Sequence, residues 1–285
     1  MHNPSTNGSR VADTVESASG TLIVVIPTAD GLVMAADSRT TTCRGEFVDG
    51  CQKLYVADTK TPAVVAITGA NRWSNPCPAG VAPTDWLNNG ESLRFSSAEW
   101  VKTYLVARPN FVVTDSSIGE IGEDLGIVVC HFLSTWQEPA PELACCLVVC
   151  QADPGNSGLL VGSITLTFDS NLDAGIRNIK VIRHEQSDVA VPELFGQGAY
   201  VAEHVQNGVG RRFMSPDDYS LWSSRPFIRD LSSDRAARLA GSIIRAAGKT
   251  SDIIPTPGRY GIGGPVTIVL ATASGALPIE FNTAM

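Results

Sequence analysis

The sequence GTLIVVIPTADGLVMAADSRT occupies residues 20–40. Residues 21–27 and residues 32–37 are mostly apolar, and the pair Asp30-Gly31 separates them. Two such runs around an Asp-Gly turn predict a β-hairpin. Because both runs are almost continuously apolar, we expect strands that are covered on both faces.

The rest of the chain divides into runs of strands and runs of helices. Further strands are predicted at residues 53–56, 63–69, 143–150, 159–168, 178–184, 265–272 and 277–281. Helices are predicted after the capping boxes that begin at Ser96 and Ser117, at residues 199–206, and at residues 233–247 with Gly248 as the stop. Residues 70–95, rich in Pro, Asn and Gly, are predicted to be a long irregular insertion. This order of elements favours an α+β fold built from layers of sheet and helix.

The composition excludes several classes of protein. Of the 285 residues, 44% are hydrophobic and 18% are charged, which excludes a disordered or coiled-coil chain. Lys and Arg number 21 against 29 Asp and Glu, so the net charge of -8 argues against a nucleic-acid binder. No apolar run approaches the roughly 18 residues of a membrane span. We therefore expect a soluble, globular protein.

The cysteines and histidines indicate neither a disulfide framework nor a metal site. The chain has seven Cys, an odd number, and four of them lie in apolar runs where Cys usually packs as a small hydrophobe: Cys130, Cys145, Cys146 and Cys150. The four His are scattered along the sequence, without the spacing of zinc ligands. We expect a cytoplasmic protein that uses no metal or other cofactor.

Residues 1–20 allow two interpretations. They are rich in Ser, Asn, Thr, Ala and Gly, and they lack both the apolar centre of a secretory signal and the arginines of a transit peptide. They are either a flexible tail or a propeptide that ends between Gly20 and Thr21, where the composition changes abruptly. Composition alone favours the tail.

Two other motifs are weak indications of a catalytic site. Residues 155–158 read Gly-Asn-Ser-Gly and are similar to the serine segment of trypsin-like proteases. Between two strands, however, such a segment is typical of a turn, and nothing marks His131 as a partner for Ser157. Residues 261–264 read Gly-Ile-Gly-Gly and precede a strand, whereas a phosphate-binding loop opens a helix.

The segment from Gly20 to Gly69 is more specific. Asp37 lies 16 residues after Thr21, Arg39 lies 18 residues after it, and Lys53 lies 32 residues after it. These residues and the run Gly-Leu-Val-Met-Ala-Ala-Asp-Ser-Arg resemble the β-subunits of the proteasome family, which belongs to the N-terminal-nucleophile hydrolases. The intervals match the family pattern without a gap, and a Gly precedes the nucleophile in both.

The resemblance implies a fold and a processing step. The fold is a four-layer α-β-β-α sandwich formed by residues 21–285. Residues 1–20 are a propeptide that the protein removes autocatalytically, so that Thr21 becomes the first residue of the mature chain.

The resemblance also implies a role for each residue of the site. Thr21 is the nucleophile, Asp37 positions Lys53, Arg39 braces the carboxylate of Asp37, and the backbone N–H of Gly69 helps to form the oxyanion hole. The physical logic agrees, because a Thr hydroxyl needs a nearby base. The free α-amine of a first residue, with an ordinary pKa near ~8, is such a base. A positively charged Lys53 would lower the proton affinity of that amine and of the hydroxyl.

A competing interpretation makes the charged residues structural. Charge pairing alone indicates an ion-pair cluster of Asp37, Arg39 and Lys53, and it is the joint spacing from Thr21 that favours catalysis. Two later family motifs differ here. Residues 196–198 read Gly-Gln-Gly where the family has Gly-Ser-Gly, and residues 259–264 lack the family's late Asp and Ser, the Asp being one that Asp252 could replace.

The sequence therefore predicts a threonine-type endopeptidase in a self-compartmentalising, homo-oligomeric ring. Its substrate would be a peptide or an unfolded protein, and the resemblance allows an ATP-dependent unfoldase as a further partner. The alternative is a catalytically silent ring or scaffold subunit. The loss of the family's late Asp and Ser at residues 259–264 favours it, and the retained Thr21, Asp37 and Lys53 oppose it.

Overall fold

A computed structural model gives a mixed α+β fold with two large antiparallel sheets. The structure describes residues 21–41, 47–69, 72–74, 94–133, 143–154, 158–168, 174–184, 192–223, 231–256 and 261–279. Residues 1–20, the predicted propeptide, lie outside this set.

Fourteen strands lie within the described residues. They are β1 (Leu22–Pro27), β2 (Leu32–Asp37), β3 (Thr40–Thr41), β4 (Phe47–Val48), β5 (Leu54–Ala57), β6 (Ala63–Gly69), β7 (Arg72–Ser74), β8 (Arg94–Ser96), β9 (Leu143–Ala152), β10 (Leu159–Phe168), β11 (Ala174–His184), β12 (Glu193–Gly196), β13 (Val266–Thr272) and β14 (Gly275–Pro278). Sheet I has the order β12-β1-β2-β13-β14, and sheet II has the order β11-β10-β9-β6-β5. Two small ribbons, β3-β4 and β7-β8, complete the strand pairing.

Five α-helices lie within the described residues. They are α1 (Ser97–Val106), α2 (Asp115–Leu133), α3 (Gly198–Tyr200), α4 (Pro216–Ser223) and α5 (Ser233–Ser251). Helix α3 continues as a π-helical segment, Val201–Gln206, and a 3-10 helix follows at Val209–Phe213. Among the helices described, none combines the length and the apolar character that crossing a bilayer requires.

Three hydrophobic clusters hold the elements together. In β1 the side chains alternate: Leu22 packs in a cluster with α5, whereas Ile23 packs in a cluster shared by the two sheets. In β6, Ala66 belongs to that shared cluster, and Ile67 packs in the cluster with α1 and α2. Both sheets are thus apolar on both faces, as their continuous runs predict.

The structure confirms the two predicted hairpins. Strands β1 and β2 pair with Val25 opposite Met34, and the turn between them is closed by hydrogen bonds between Thr28 and Gly31. Strands β5 and β6 pair in the same antiparallel way. The predicted cap of α1 is also confirmed, because the Ser96 hydroxyl accepts the Glu99 N–H at 3.3 Å.

Helix α2 begins two residues before the predicted capping box. Its first turn is capped by Thr114, whose hydroxyl accepts the Ser117 N–H at 3.1 Å, while the Ser117 hydroxyl accepts the Thr114 N–H at 2.9 Å. This reciprocal pair satisfies the free N–H groups of the first turn. The capping residue is therefore Thr114, and the prediction of Ser117 is wrong.

Helix α5 continues through Gly248, so the predicted stop is wrong. The Asp252 N–H donates to the Gly248 carbonyl at 3.2 Å, which extends the helical ladder to the end of α5. A Cβ at residue 248 would lie only 3.3 Å from the Ile262 carbonyl. Glycine therefore serves close packing against the loop that precedes β13, at a helix-propensity cost of about 1 kcal/mol.

Other elements differ from the sequence-based prediction in their bounds or were not predicted. The two ends of the predicted insertion pair as the ribbon β7-β8, while residues 75–93 lie outside the described set. Strand β11 starts four residues early, and β14 is shifted towards the N-terminus. Strand β12 and helix α4 were not predicted, because both are short and only partly buried.

Candidate active site

The Asp37 carboxylate is the centre of the site. It stands at the end of β2, is 1% exposed, and accepts hydrogen bonds from four donors. Oδ1 accepts the Leu22 N–H at 2.9 Å and the Lys53 ammonium at 3.0 Å. Oδ2 accepts the backbone N–H groups of Arg39 and Gly263, each at 3.2 Å. A group surrounded only by donors in this way is suited to the ionised, acceptor-only form of a carboxylate.

Lys53 reaches Asp37 from the residue before β5. Its side chain is almost wholly buried, and its ammonium also donates to the Arg39 carbonyl. The ammonium and the Leu22 N–H share the same oxygen of Asp37, so Lys53 lies beside the start of β1. Residues 21, 37 and 53, which the sequence spaces at regular intervals, are thus brought together.

Burial acts against both charges of this pair. It raises the pKa of the Asp37 carboxyl, and the Lys53 ammonium and the N–H donors of Leu22 and Gly263 oppose the rise. Burial lowers the pKa of Lys53, and Asp37 opposes the fall. Burying this pair therefore costs desolvation energy, and Lys53 releases a proton more readily than an exposed lysine does.

Arg39 supports Asp37 through its backbone. Its N–H binds the carboxylate, whereas its guanidinium binds Asp49 with Nε–Oδ1 at 2.8 Å and Nη2–Oδ2 at 3.1 Å. The guanidinium also lies 3.7 Å from Asp252 at the end of α5 and 5.2 Å from the Phe47 ring centroid. Asp252, considered as a substitute for the family's late Asp, therefore contacts the site through Arg39.

Thr21 lies immediately before β1 and is 7% exposed. Strand β12 pairs with β1, with Leu22 opposite Gly196, and the Gln197 N–H donates to the Thr21 carbonyl at 3.2 Å. The β1-β12 ladder therefore extends to Thr21 and fixes its backbone between two neighbours. One neighbour is the Asp37–Lys53 pair on the β2 side, and the other is the Gly196-Gln197 turn.

Gly69 ends β6 with a φ of +86°, opposite Cys145. A Cβ at this position would lie 2.2 Å from the Ala144 carbonyl oxygen, so only glycine fits. The preceding residue, Thr68, is fully buried, and its side chain contacts the backbone of Gly196. The end of β6 thus lies next to Thr21 through Gly196.

Three residues of the site were given no role in it from the sequence: Gly263, Asp49 and Gln197. Gly263 donates to Asp37 from a run that the sequence marked only as a poor phosphate loop, and no sequence signal links it to Asp37. The link comes from the pairing of β13 with β2, in which Val266 lies opposite Asp37. Asp49 is followed by Gly50, and such an Asp-Gly pair indicates only a turn. Gln197 occupies the centre of the Gly-Gln-Gly run. Across the described ranges, no group of three or more His, Cys, Asp or Glu side chains is placed to hold a metal ion.

The trypsin-like segment remains a turn where the structure describes it. The Asp153 N–H donates to the Gly158 carbonyl at 2.9 Å, between the paired strands β9 and β10. Residues 155–157, and with them Ser157, lie outside the described residues. His131 lies in the last turn of α2.

Gly196→Ala is expected to displace Thr21 and to lower the free energy of unfolding by about 2 to 4 kcal/mol. Its φ is +75°, and a Cβ would lie 2.2 Å from the Thr21 carbonyl oxygen, so left-handed strain and overpacking combine. Gly50→Ala is the matched control, since Gly50 has a φ of +85° with nothing within 4 Å of its Cβ. It should cost only about 1 kcal/mol. Equal losses in urea unfolding would show that Gly196 is not packed against Thr21.

Lys53→Met is expected to make stability fall as pH rises above the ordinary carboxyl range, more than it does in the wild type. The folded-state pKa of Asp37 is raised above its ordinary value of 3.8, and losing Lys53 raises it further. A raised carboxyl pKa contributes stability that is complete below the unfolded value and is lost as pH rises through the folded value. The measurement is urea unfolding of both proteins from this range upward. A difference from the wild type that is constant with pH would contradict the charge coupling between Lys53 and Asp37.

No protein-family model matches the chain, and no curated protein matches it. Among solved structures, the chain is similar to "Anbu (ancestral beta-subunit) from Yersinia bercovieri", with 13% sequence identity, coverage of 92% of this chain and 88% of that chain, and a TM-score of 0.46.

Proposed function

We propose that this protein is a threonine-type peptidase of the N-terminal-nucleophile class, with Thr21 as its nucleophile. The observation that carries the proposal is the shared oxygen of Asp37, which joins the Leu22 N–H to the Lys53 ammonium beside Thr21. The spacing of Thr21, Asp37 and Lys53 in the sequence supports it independently.

Each residue has a chemical role in this proposal. Autocatalytic cleavage after Gly20 frees the α-amine of Thr21, which takes the proton of the Thr21 hydroxyl as the oxygen attacks the substrate carbonyl. Lys53 supplies positive charge next to the developing alkoxide, and Asp37 holds Lys53 in place. The backbone N–H of Gly69 donates to the oxyanion of the tetrahedral intermediate. The proton then passes to the leaving amine, and water hydrolyses the acyl-enzyme.

Arg39 takes a different part from the one that the resemblance implies. Its backbone N–H and carbonyl hold Asp37 and Lys53, so the peptide geometry at residue 39 matters for catalysis. Its guanidinium ties Asp49 and the end of α5 to the rim of the site.

The proposal includes the fold layering and the assembly. The three hydrophobic clusters support the order α1 and α2, sheet II, sheet I, α5, which is a four-layer α-β-β-α sandwich. Residues 21–285 form this domain, and residues 1–20 are its propeptide. By the sequence resemblance, copies of the chain assemble into a ring that encloses the sites and admits peptides or unfolded proteins, with an ATP-dependent unfoldase as a candidate partner.

The second candidate is a silent ring or scaffold subunit. Gln197 favours it, because this buried residue stands where the family has a Ser in its catalytic centre. Intact mass separates the two candidates. An active protein should lose residues 1–20 and then gain one β-lactone adduct on the peptide that begins Thr21-Leu22. A full-length mass that persists in assembled protein would rule out self-processing, and processed protein that takes no adduct and cleaves no peptide would favour the scaffold.

A further inference from the structure

Thr68 is a buried polar residue that the proposed mechanism does not use. It is 0% exposed, and its hydroxyl oxygen has no hydrogen-bond partner among the residues that the structure describes. Its neighbours Val64 and Ala66 on the same face of β6 pack between the two sheets, so Thr68 faces the same space. Leaving a buried hydroxyl unpaired is costly, and a Val of the same shape would avoid that cost.

The Thr68 side chain lies on the β12 side of Thr21. A Cβ built on Gly196 would lie 3.0 Å from Thr68 Cγ2 and 2.2 Å from the Thr21 carbonyl oxygen. The Thr68 side chain and the Thr21 carbonyl therefore lie on the same side of Gly196, around the space that a Cβ there would fill. The Asp37–Lys53 pair lies on the opposite side of β1, where the Leu22 N–H points.

The nitrogen of Thr21, which becomes the α-amine, lies on the same side of β1 as Thr68. In an antiparallel ladder the N–H and the C=O of one residue point towards the same neighbouring strand. The Thr21 carbonyl points towards Gln197, so the nitrogen of Thr21 points towards β12 as well. Cleavage after Gly20 converts this nitrogen from an amide with one hydrogen into an amine with two or three, which creates N–H groups that need acceptors.

We propose that the Thr68 hydroxyl accepts a hydrogen bond from the freed α-amine of Thr21. The inference rests on the proposed function and makes Thr68 a positioning residue for the base. Before cleavage the hydroxyl has no partner within the described part of the chain, and after cleavage it orients the amine towards the Thr21 hydroxyl. Gln197 stands where the family has a Ser, so Thr68 supplies a hydroxyl from a different strand.

The test is the pH dependence of adduct formation with a β-lactone probe on full-chain protein. Thr68→Val keeps the shape and removes the acceptor, so it should slow adduct formation roughly tenfold. It should also shift the acid limb of the rate profile to lower pH, because an acceptor for ammonium N–H groups raises the pKa of the amine. Thr68→Ser should restore both the rate and the limb.

The outcomes separate this proposal from the proposed function. If the wild type reacts and the Thr68→Val profile superimposes on it, Thr68 has no such role and the peptidase proposal stands. If the wild type is neither processed nor reactive, both proposals fail. A slower Thr68→Val with an unshifted acid limb that Ser does not restore would make Thr68 merely structural, and the positioning role would be overturned.

A stability measurement in the Thr21→Ala background adds a readout without catalysis. Thr68→Val should leave the urea midpoint unchanged or raise it, because the hydroxyl lacks a partner before cleavage. Thr250→Val is the matched control, since Thr250 is equally buried but its hydroxyl donates to the Ala246 carbonyl at 2.6 Å. This control should lower the midpoint. A comparable loss in Thr68→Val would show that its hydroxyl is already paired and would overturn the proposal.

Discussion

Thr21→Ala protein is expected to fold, to keep residues 1–20 and to cleave no peptide. The substitution removes the hydroxyl, while the hydrogen bond between the Thr21 carbonyl and Gln197 and the one between Leu22 and Asp37 use backbone N–H and C=O groups of residues 21 and 22 that alanine preserves. Loss of the nucleophile from a covalent hydrolase lowers kcat by about 10⁶-fold, so activity should reach background. Intact mass, a peptide panel and the β-lactone adduct are the measurements.

Two variants control this result. Thr28→Ala changes an equally buried Thr at the other end of β1, whose hydroxyl donates to the Gly31 carbonyl at 2.9 Å. It should lose some stability but keep processing and the adduct. Ser157→Ala should behave as the wild type. Activity that survives Thr21→Ala and disappears in Ser157→Ala would place the nucleophile in the trypsin-like segment instead.

Removing both charges of the buried pair is expected to abolish activity at a smaller cost in stability than removing one charge. Lys53→Met or Asp37→Asn alone should lower the free energy of unfolding by about 3 to 5 kcal/mol, because each leaves one partner of the pair without its counterion. The double variant should recover part of this loss, since burial opposes both charges. It should not recover all of it, because the side-chain NH2 of Asp37→Asn cannot accept from the backbone N–H groups that an Asp37 oxygen binds. All three variants should lack the β-lactone adduct.

This double-mutant cycle separates catalysis from structure. The control is the Arg235–Asp218 ion pair, with Nη1–Oδ1 at 2.7 Å, which joins α4 to α5 away from the site. Neutralising it should leave adduct formation unchanged. A Lys53→Met/Asp37→Asn protein that still reacts at the wild-type rate would show that the Asp37–Lys53 pair is structural.

Local patterns predicted the elements that bring the candidate residues together. The hairpin around Asp30-Gly31 depends on a turn and two apolar runs, both visible in sequence, and it places Thr21 and Asp37 at the same end of sheet I. The resemblance to the proteasome β-subunits, in which Lys53 matches a family position, then implied its approach to Asp37. Helix ends were harder, because Thr114 and Ser117 are both good caps and only the fold decides between them.

The rest of the site depends on contacts between segments that are distant in sequence. The guanidinium of Arg39 selected Asp49 over Asp37, which no local pattern shows, since two carboxylates were available to one cation. Gly263 became a donor to Asp37 because β13 pairs with β2. Strand β12 has only four residues, so its pairing beside Thr21 came from the tertiary structure alone.

The four donors to Asp37 become available at different times during synthesis of the chain. Leu22, Arg39 and Lys53 leave the ribosome early, but Gly263 follows Asp37 by 226 residues. The carboxylate therefore gains its last backbone donor only after β13 has been synthesised and has docked on β2. A nascent or truncated polypeptide that lacks Gly263 carries Thr21 and Asp37 without the fourth hydrogen-bond donor to the Asp37 carboxylate. Translation order thus delays completion of the candidate site until the segment that contains Gly263 and β13 has been synthesised and has packed against β2.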